Sequence, residues 1–144
     1  MAFQGAMIRK TYPGDQPISH QTNTFVTFGV VDYDYGDWFN PAYPTRLTVP
    51  EGVTRVKVHG QCIWQSNSSG LRQIVIKKNG NFYPGDPCVN VEAAGVTTTD
   101  IDAHSPVLEV QTGDYFEMEV FQNSGSTINL LVSTGTYLAI EAVQ

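Results

Sequence analysis

The stretch TRVKVHGQCIW, residues 54 to 64, alternates without a break: Val56, Val58, Gly60, Cys62 and Trp64 fall on one side, and Arg55, Lys57, His59, Gln61 and Ile63 on the other. A period of two is the mark of a strand with one buried face in an antiparallel sheet. The pattern recurs in YFEMEVFQ (115–122), where Phe116, Met118 and Val120 share a face and Tyr115, Glu117, Glu119 and Phe121 share the other. It also places Ile128, Leu130 and Val132 together, and Leu138, Ile140 and Ala142 together. Further strands are expected in TFVTFGVV (24–31), TRLTV (45–49), GLRQIVIKK (70–78) and PVLEV (106–110).

Turn chemistry separates these segments. Asn79-Gly80 is the strongest hairpin signal, because a tight primed turn needs positive φ at both central positions. VPEG (49–52) and QTGD (111–114) supply further turns. Eight or nine short strands without a helical period predict an all-β, antiparallel jelly-roll sandwich. Residues 1 to 22 are polar, hold Pro and Gly, and lack alternation. They predict an extended N-terminal arm, with the jelly-roll domain over 23–144.

The 144 residues suffice for a core that buries roughly 70% of the unfolded surface. Only 15% are charged, against a usual value of about 25%, which points to a covered subunit interface. The net charge of −6 leaves no basic stripe for phosphates, so nucleic-acid binding is not expected. No apolar run is long enough to cross a bilayer or serve as a secretory leader, so no membrane insertion is expected. Arg9 and Lys10 sit in an opening decapeptide without acids, which with Tyr12 makes the arm a mildly basic docking element for an acidic partner. Cys62 falls on an apolar face and reads as a buried thiol; Cys88 lies in a Pro/Gly loop.

Several motifs resemble the globular heads of complement-type and tumour-necrosis-factor-like proteins. They are VTFGVVDYDYGDWF, RLTVPEGVTRVKVHGQCIW, RQIVIKKNG, SPVLEVQTGDYFEMEVFQNSG and TYLAIEAV, in this order, within roughly residues 24 to 142. The resemblance implies a ten-stranded jelly roll assembled as a homotrimer. The family also has phage and prophage members on virion surfaces. With no collagen repeat and no leader, the resemblance points to that branch. It implies a non-enzymatic capsid decoration or head-spike protein on the virion surface, bound to the major capsid protein or another virion protein. A fibre or spike head that binds host glycans is the alternative.

Candidate sites follow from these patterns. Asp32, Asp34 and Asp37 in DYDYGDW share the spacing that opens a calcium loop, but position twelve is Tyr43 and not Glu. A turn capped by Asp side chains is expected, with a cation site as the alternative. Tyr33, Tyr35, Trp38, Phe82 and Tyr83 are candidates for a glycan or receptor surface. Tyr115, Phe121, Tyr137, Ala139 and Val143 are expected at the trimer interface, as apolar residues on outward positions. His20, His59 and His104 are scattered in sequence, without metal-ligand spacing. Glu117 and Glu119 are expected to keep a sheet face wet, since no nucleophile and base accompany them. Catalysis and a cofactor are not expected.

Overall fold

The computed structural model describes residues 2–10 and 14–144, and these contain thirteen strands and no helix. In chain order they are β1 (Gly5–Arg9), β2 (Gln16–Ile18), β3 (Thr24–Phe25), β4 (Val30–Tyr35), β5 (Arg46–Thr48), β6 (Arg55–Trp64), β7 (Leu71–Lys78), β8 (Cys88–Glu92), β9 (Thr99–His104), β10 (Leu108–Glu109), β11 (Tyr115–Gln122), β12 (Ile128–Leu130) and β13 (Tyr137–Ala142).

Two antiparallel sheets form a sandwich. Sheet A has the order β2-β12-β6-β13-β1-β4, with β9 and β10 also paired to β6. Sheet B has the order β3-β11-β7-β8, with β5 also on β11. The ten-residue β6 is the spine of sheet A: β13 and β12 share one side, while β9 and β10 share the other. The inward positions expected from alternation form the core. Val56, Val58, Cys62 and Trp64 from β6 meet Phe116, Met118 and Val120 from β11, Ile74 and Ile76 from β7, and Leu138 and Ile140 from β13. Each large apolar side chain buried there stabilises the fold by about 1.5–3 kcal/mol.

Gly60 is the close point between the sheets. A Cβ there would lie 2.9 Å from Met118 Sδ and 3.1 Å from Ile76 Cδ1. The missing side chain makes room for the opposite sheet, so this inward position of β6 holds nothing larger. Asn79-Gly80 forms the expected primed turn, with φ of 52° and 76°. Its Asn79 side chain donates to Asp114 Oδ1 at 2.8 Å and accepts from Tyr115 N at 2.9 Å, which locks this turn onto the turn at 111–114.

Three expectations need correction. The N-terminal segment is not an arm in its described part. β1 lies inside sheet A, paired to β13 on one side and β4 on the other, and β2 pairs with β12. Its alternation was hidden because β1 has apolar residues on both faces: Ala6 and Ile8 are buried inward, and Met7 lies on the outer face. TFVTFGVV is not one strand. It divides into β3 on sheet B and β4 on sheet A, so it crosses between the layers. Finally, β9 occupies a segment with no strong apolar signal, because its inward residues are Thr99, Ile101 and Ala103.

Candidate functional site: the outer face of sheet A

Antiparallel pairing sets outward side chains of sheet A in rows that run across the strands. One row runs Tyr33–Met7–Ala139–His59–His104, through β4, β1, β13, β6 and β9. No carboxylate, lysine or arginine interrupts it. The flanking row holds Tyr35, Gly5, Glu141 and Lys57, and the row on the other flank holds Arg9, Tyr137, Gln61 and Asp102. A neutral strip is therefore framed by charged and polar side chains. Side chains directly opposite on paired strands have Cβ atoms about 4.5–5.5 Å apart, so each row is a contiguous surface.

Aromatic rings occupy the β4 end. Phe3, Tyr33 and Tyr35 lie mutually at centroid separations of 5.9 Å, and Phe3 and Tyr35 are exposed. Burial, then Glu141 and Asp32, holds the Tyr33 hydroxyl above its usual range. At the β9 end, the His59 and His104 rings stack at 3.8 Å with 18° between planes. His104 Nε2 lies 2.9 Å from Asp102 Oδ2. Tyr137 Oη sits 3.1 Å from His59 Nε2 and 3.2 Å from Nδ1, and can pair with only one at a time. Desolvation and the neighbouring His104 lower the His59 pKa, against the opposing charge of Asp102. A shallow depression between these groups is lined by Tyr33, Lys57, His59, His104, Ala139 and Glu141.

The structure divides the candidate residues. Tyr137 and Ala139 lie on this face, and Val143 continues beyond β13 with its N–H donating to Arg55 O at 2.9 Å. Tyr115 and Phe121 belong to β11, on the outer face of sheet B, on the opposite side of the sandwich. A single flat interface does not contain both groups.

The aromatic surface also divides. Tyr33 and Tyr35 are on sheet A, whereas Phe82 is 68% exposed on the sheet B side, with Lys77 Nζ 4.6 Å from its ring centroid. Trp38 is not on a surface. It is 1% exposed, and its Nε1 donates to Tyr35 O at 3.1 Å. Tyr83 turns inward, edge-on to Phe116 with centroids 6.1 Å apart, and burial pushes its hydroxyl pKa up.

The aspartates of DYDYGDW do not converge. Asp34 accepts from Trp38 N and Phe39 N, both at 2.9 Å, and so caps the turn as expected. Asp32 is the extra residue of a bulge between the Met7–Tyr33 and Ile8–Val31 pairs. Its carboxylate takes a forked contact from Arg9, at 2.6 and 2.9 Å. Asp37 sits at φ 63° in the turn itself. Arg9 is therefore engaged within the body. Lys10 is buried, with Nζ donating to Gln16 Oε1 at 2.9 Å and Thr27 O at 2.8 Å. Lys10 is engaged inside the fold and Arg9 in a surface ion pair with Asp32, so both lie in the body and not on an extended arm; Tyr12 lies outside the described residues.

Glu117 and Glu119 are not wet. They are 6% and 7% exposed, Thr45 donates to Glu117, and Lys77 Nζ lies 3.1 Å from Glu119 Oε2. Cys62 is a buried free thiol, as expected, and burial pushes its pKa up to about 12. Cys88 is free and exposed.

Sequence reasoning missed the meeting of His59 with His104. The two are 45 positions apart and become neighbours only through the β6–β9 register. Alternation in TDIDAH was the available signal, since it places Asp102 and His104 on one face.

The fold defines the class: a tumour-necrosis-factor-like jelly roll. Murine APRIL, in its crystal structure at pH 8.5, superposes with a TM-score of 0.67 at 12% identity, over 99% of this chain and 100% of that one. Eiger TNF from S. frugiperda superposes with a TM-score of 0.63 at 12% identity, over 100% of this chain and 94% of that one. Identity this low shows a shared fold and nothing finer. No protein-family model matches the chain, and no curated protein matches it.

Proposed function

We propose that this chain is a non-enzymatic structural protein that assembles as a homotrimer through the outer face of sheet A. In this reading it decorates the surface of a phage-type particle, as a capsid cement or head-spike protein. The observation that carries the assembly is the uncharged row Tyr33–Met7–Ala139–His59–His104 across five strands. Depletion of charge at the centre with aromatics and Met enriched is the composition of an interface core. A second copy is the occupant this face fits, because the chain has only 15% charged residues and its neutral strip needs cover. The virion placement is supported by the order of the sequence motifs, which resemble a tumour-necrosis-factor-like family that includes phage and prophage members, and by the acidic body. Repeated weak contacts from three chains would add by avidity.

Gold-labelled antibody on intact particles from the source tests the placement. Label spread over the shell is the expected result, and no labelled particle overturns it. Label confined to fibre or tail tips would favour the second reading, a spike head that binds host glycans. The exposed Phe82 beside Lys77 favours that reading, because an aromatic ring flanked by a donor can stack on a sugar. A glycan array with the wild type and Phe82→Ala separates the two readings.

A further inference from the structure

We propose that His59, Asp102 and His104 form a binding site for a divalent transition-metal ion of the zinc class on the outer face of sheet A. One ligand atom from each of the three residues lies within 4.8 Å of the others. Among the described residues this is the one group of three or more His, Cys, Asp or Glu side chains that gathers in this way.

The placement follows from sheet geometry. Asp102 and His104 are two apart on β9, so they project from the same face. His59 stands directly opposite His104 on β6. Two ligands at i and i+2 plus one across the ladder make a triangle on a rigid surface. Tetrahedral zinc holds its ligands at about 2.0–2.2 Å, and thus roughly 3.3 Å from one another. Closing the present cluster to that size takes rotation of exposed side chains and no movement of backbone, since both Asp102 and His104 have side chains more than half exposed.

The donor set selects the ion. Two imidazoles and one carboxylate suit zinc, cobalt, nickel or copper, whereas calcium and magnesium want six or more oxygens. His104 Nε2 and Asp102 Oδ2 already lie 2.9 Å apart, so two of the three ligand atoms are within the spacing that one small ion spans. Tyr137 Oη from β13 touches the His59 nitrogens and fixes the ring from a third strand, as the outer partners of metal-bound histidines do. Without an ion, among the described residues, the Asp102 carboxylate contacts only the His104 ring, and the stacked His59 ring meets only the Tyr137 hydroxyl. Bound metal would tie β9, which pairs only with β6, to the spine of sheet A. All ligands come from one chain, so the site does not rest on the trimer reading, and its stoichiometry is measured per chain.

The test is calorimetric titration of the EDTA-treated full chain with zinc chloride, paired with visible absorption of the cobalt form. One zinc per chain is expected, with cobalt bands of a four- or five-coordinate centre. Asp102→Asn, which keeps the shape of the side chain, and His104→Ala should each weaken binding at least about 100-fold. Tyr137→Phe should weaken it about tenfold, the lower end for a supporting residue. His20→Ala, at the remote third histidine, should leave it unchanged. Absence of zinc binding by the wild type, or binding unchanged in both Asp102→Asn and His104→Ala, overturns the site. Loss of binding in His20→Ala alone overturns it as well.

Discussion

Sheets A and B each turn one face outward, and both faces mix aromatic, apolar and charged residues. On sheet B the charges are answered within the chain. Lys77 pairs with Glu119 and lies near the Phe82 ring, Thr45 donates to Glu117, and the Arg46 guanidinium stacks 3.8 Å from the Tyr115 centroid. Glu117 and Glu119 are closed over by these neighbours although nothing but side chains covers them. On sheet A the neutral row has no such cover, and its ring clusters end in exposed edges. The difference teaches that residue type alone does not mark a docking face. What marks it is whether cross-strand neighbours close the face by themselves.

The largest effect should come from a charge placed in the middle of the neutral row. Ala139→Glu would carry three buried carboxylates into the proposed trimer and weaken association at least about 100-fold, by sedimentation equilibrium. Phe121→Glu, the matched change on sheet B, should leave the association constant within error. Equal effects from both would erase the distinction between the faces.

A smaller effect tests self-closure of sheet B. Glu119→Ala leaves Lys77 without its partner in a nearly covered position, and should cost about 3 kcal/mol in urea unfolding. Glu141→Gln on sheet A, at an exposed site, should change stability by no more than a few tenths of a kcal/mol. If Glu119→Ala is as mild as Glu141→Gln, sheet B is not internally closed.

The smallest effect concerns Lys10, at the end of β1. Burial lowers its pKa to about 8 from 10.5, against the pull of Asp15. Between those values the unfolded chain holds a proton that the folded chain has released. The contribution of Lys10 to stability therefore rises as pH goes from about 8 to 10.5, and falls away on acidification. Lys10→Met should remove that slope, so the difference in Tm between wild type and variant should grow in favour of the wild type from pH 7.5 to 10. A constant difference would show that Lys10 is solvated, as in a free arm.

What could be read in the sequence depended on how local the cause is. The Asp34 cap spans four and five residues, and the Asn79-Gly80 turn two, so both were legible. The inward faces of β6 and β11 were legible because each long strand repeats its own pattern. β1 was not, because a strand apolar on both faces has no alternation to show. The closure of Glu117 and Glu119 depends on Thr45 and Lys77 from separate strands. The split of Tyr115 and Phe121 from Tyr137 and Ala139 required knowing that β11 and β13 lie in different sheets. Trp38 looked like a surface anchor among acids, yet the turn capped by Asp34 folds its ring into the core.

The most direct measurement of the central claim is hydroxyl-radical footprinting by mass spectrometry, across a dilution series that spans association. Met7, Tyr33 and Tyr137 should lose reactivity as the concentration rises, while Phe82 and Phe121 stay constant. Protection of Phe121 with Met7 unchanged, or no protection anywhere while the chain associates, would contradict assignment of the interface to sheet A.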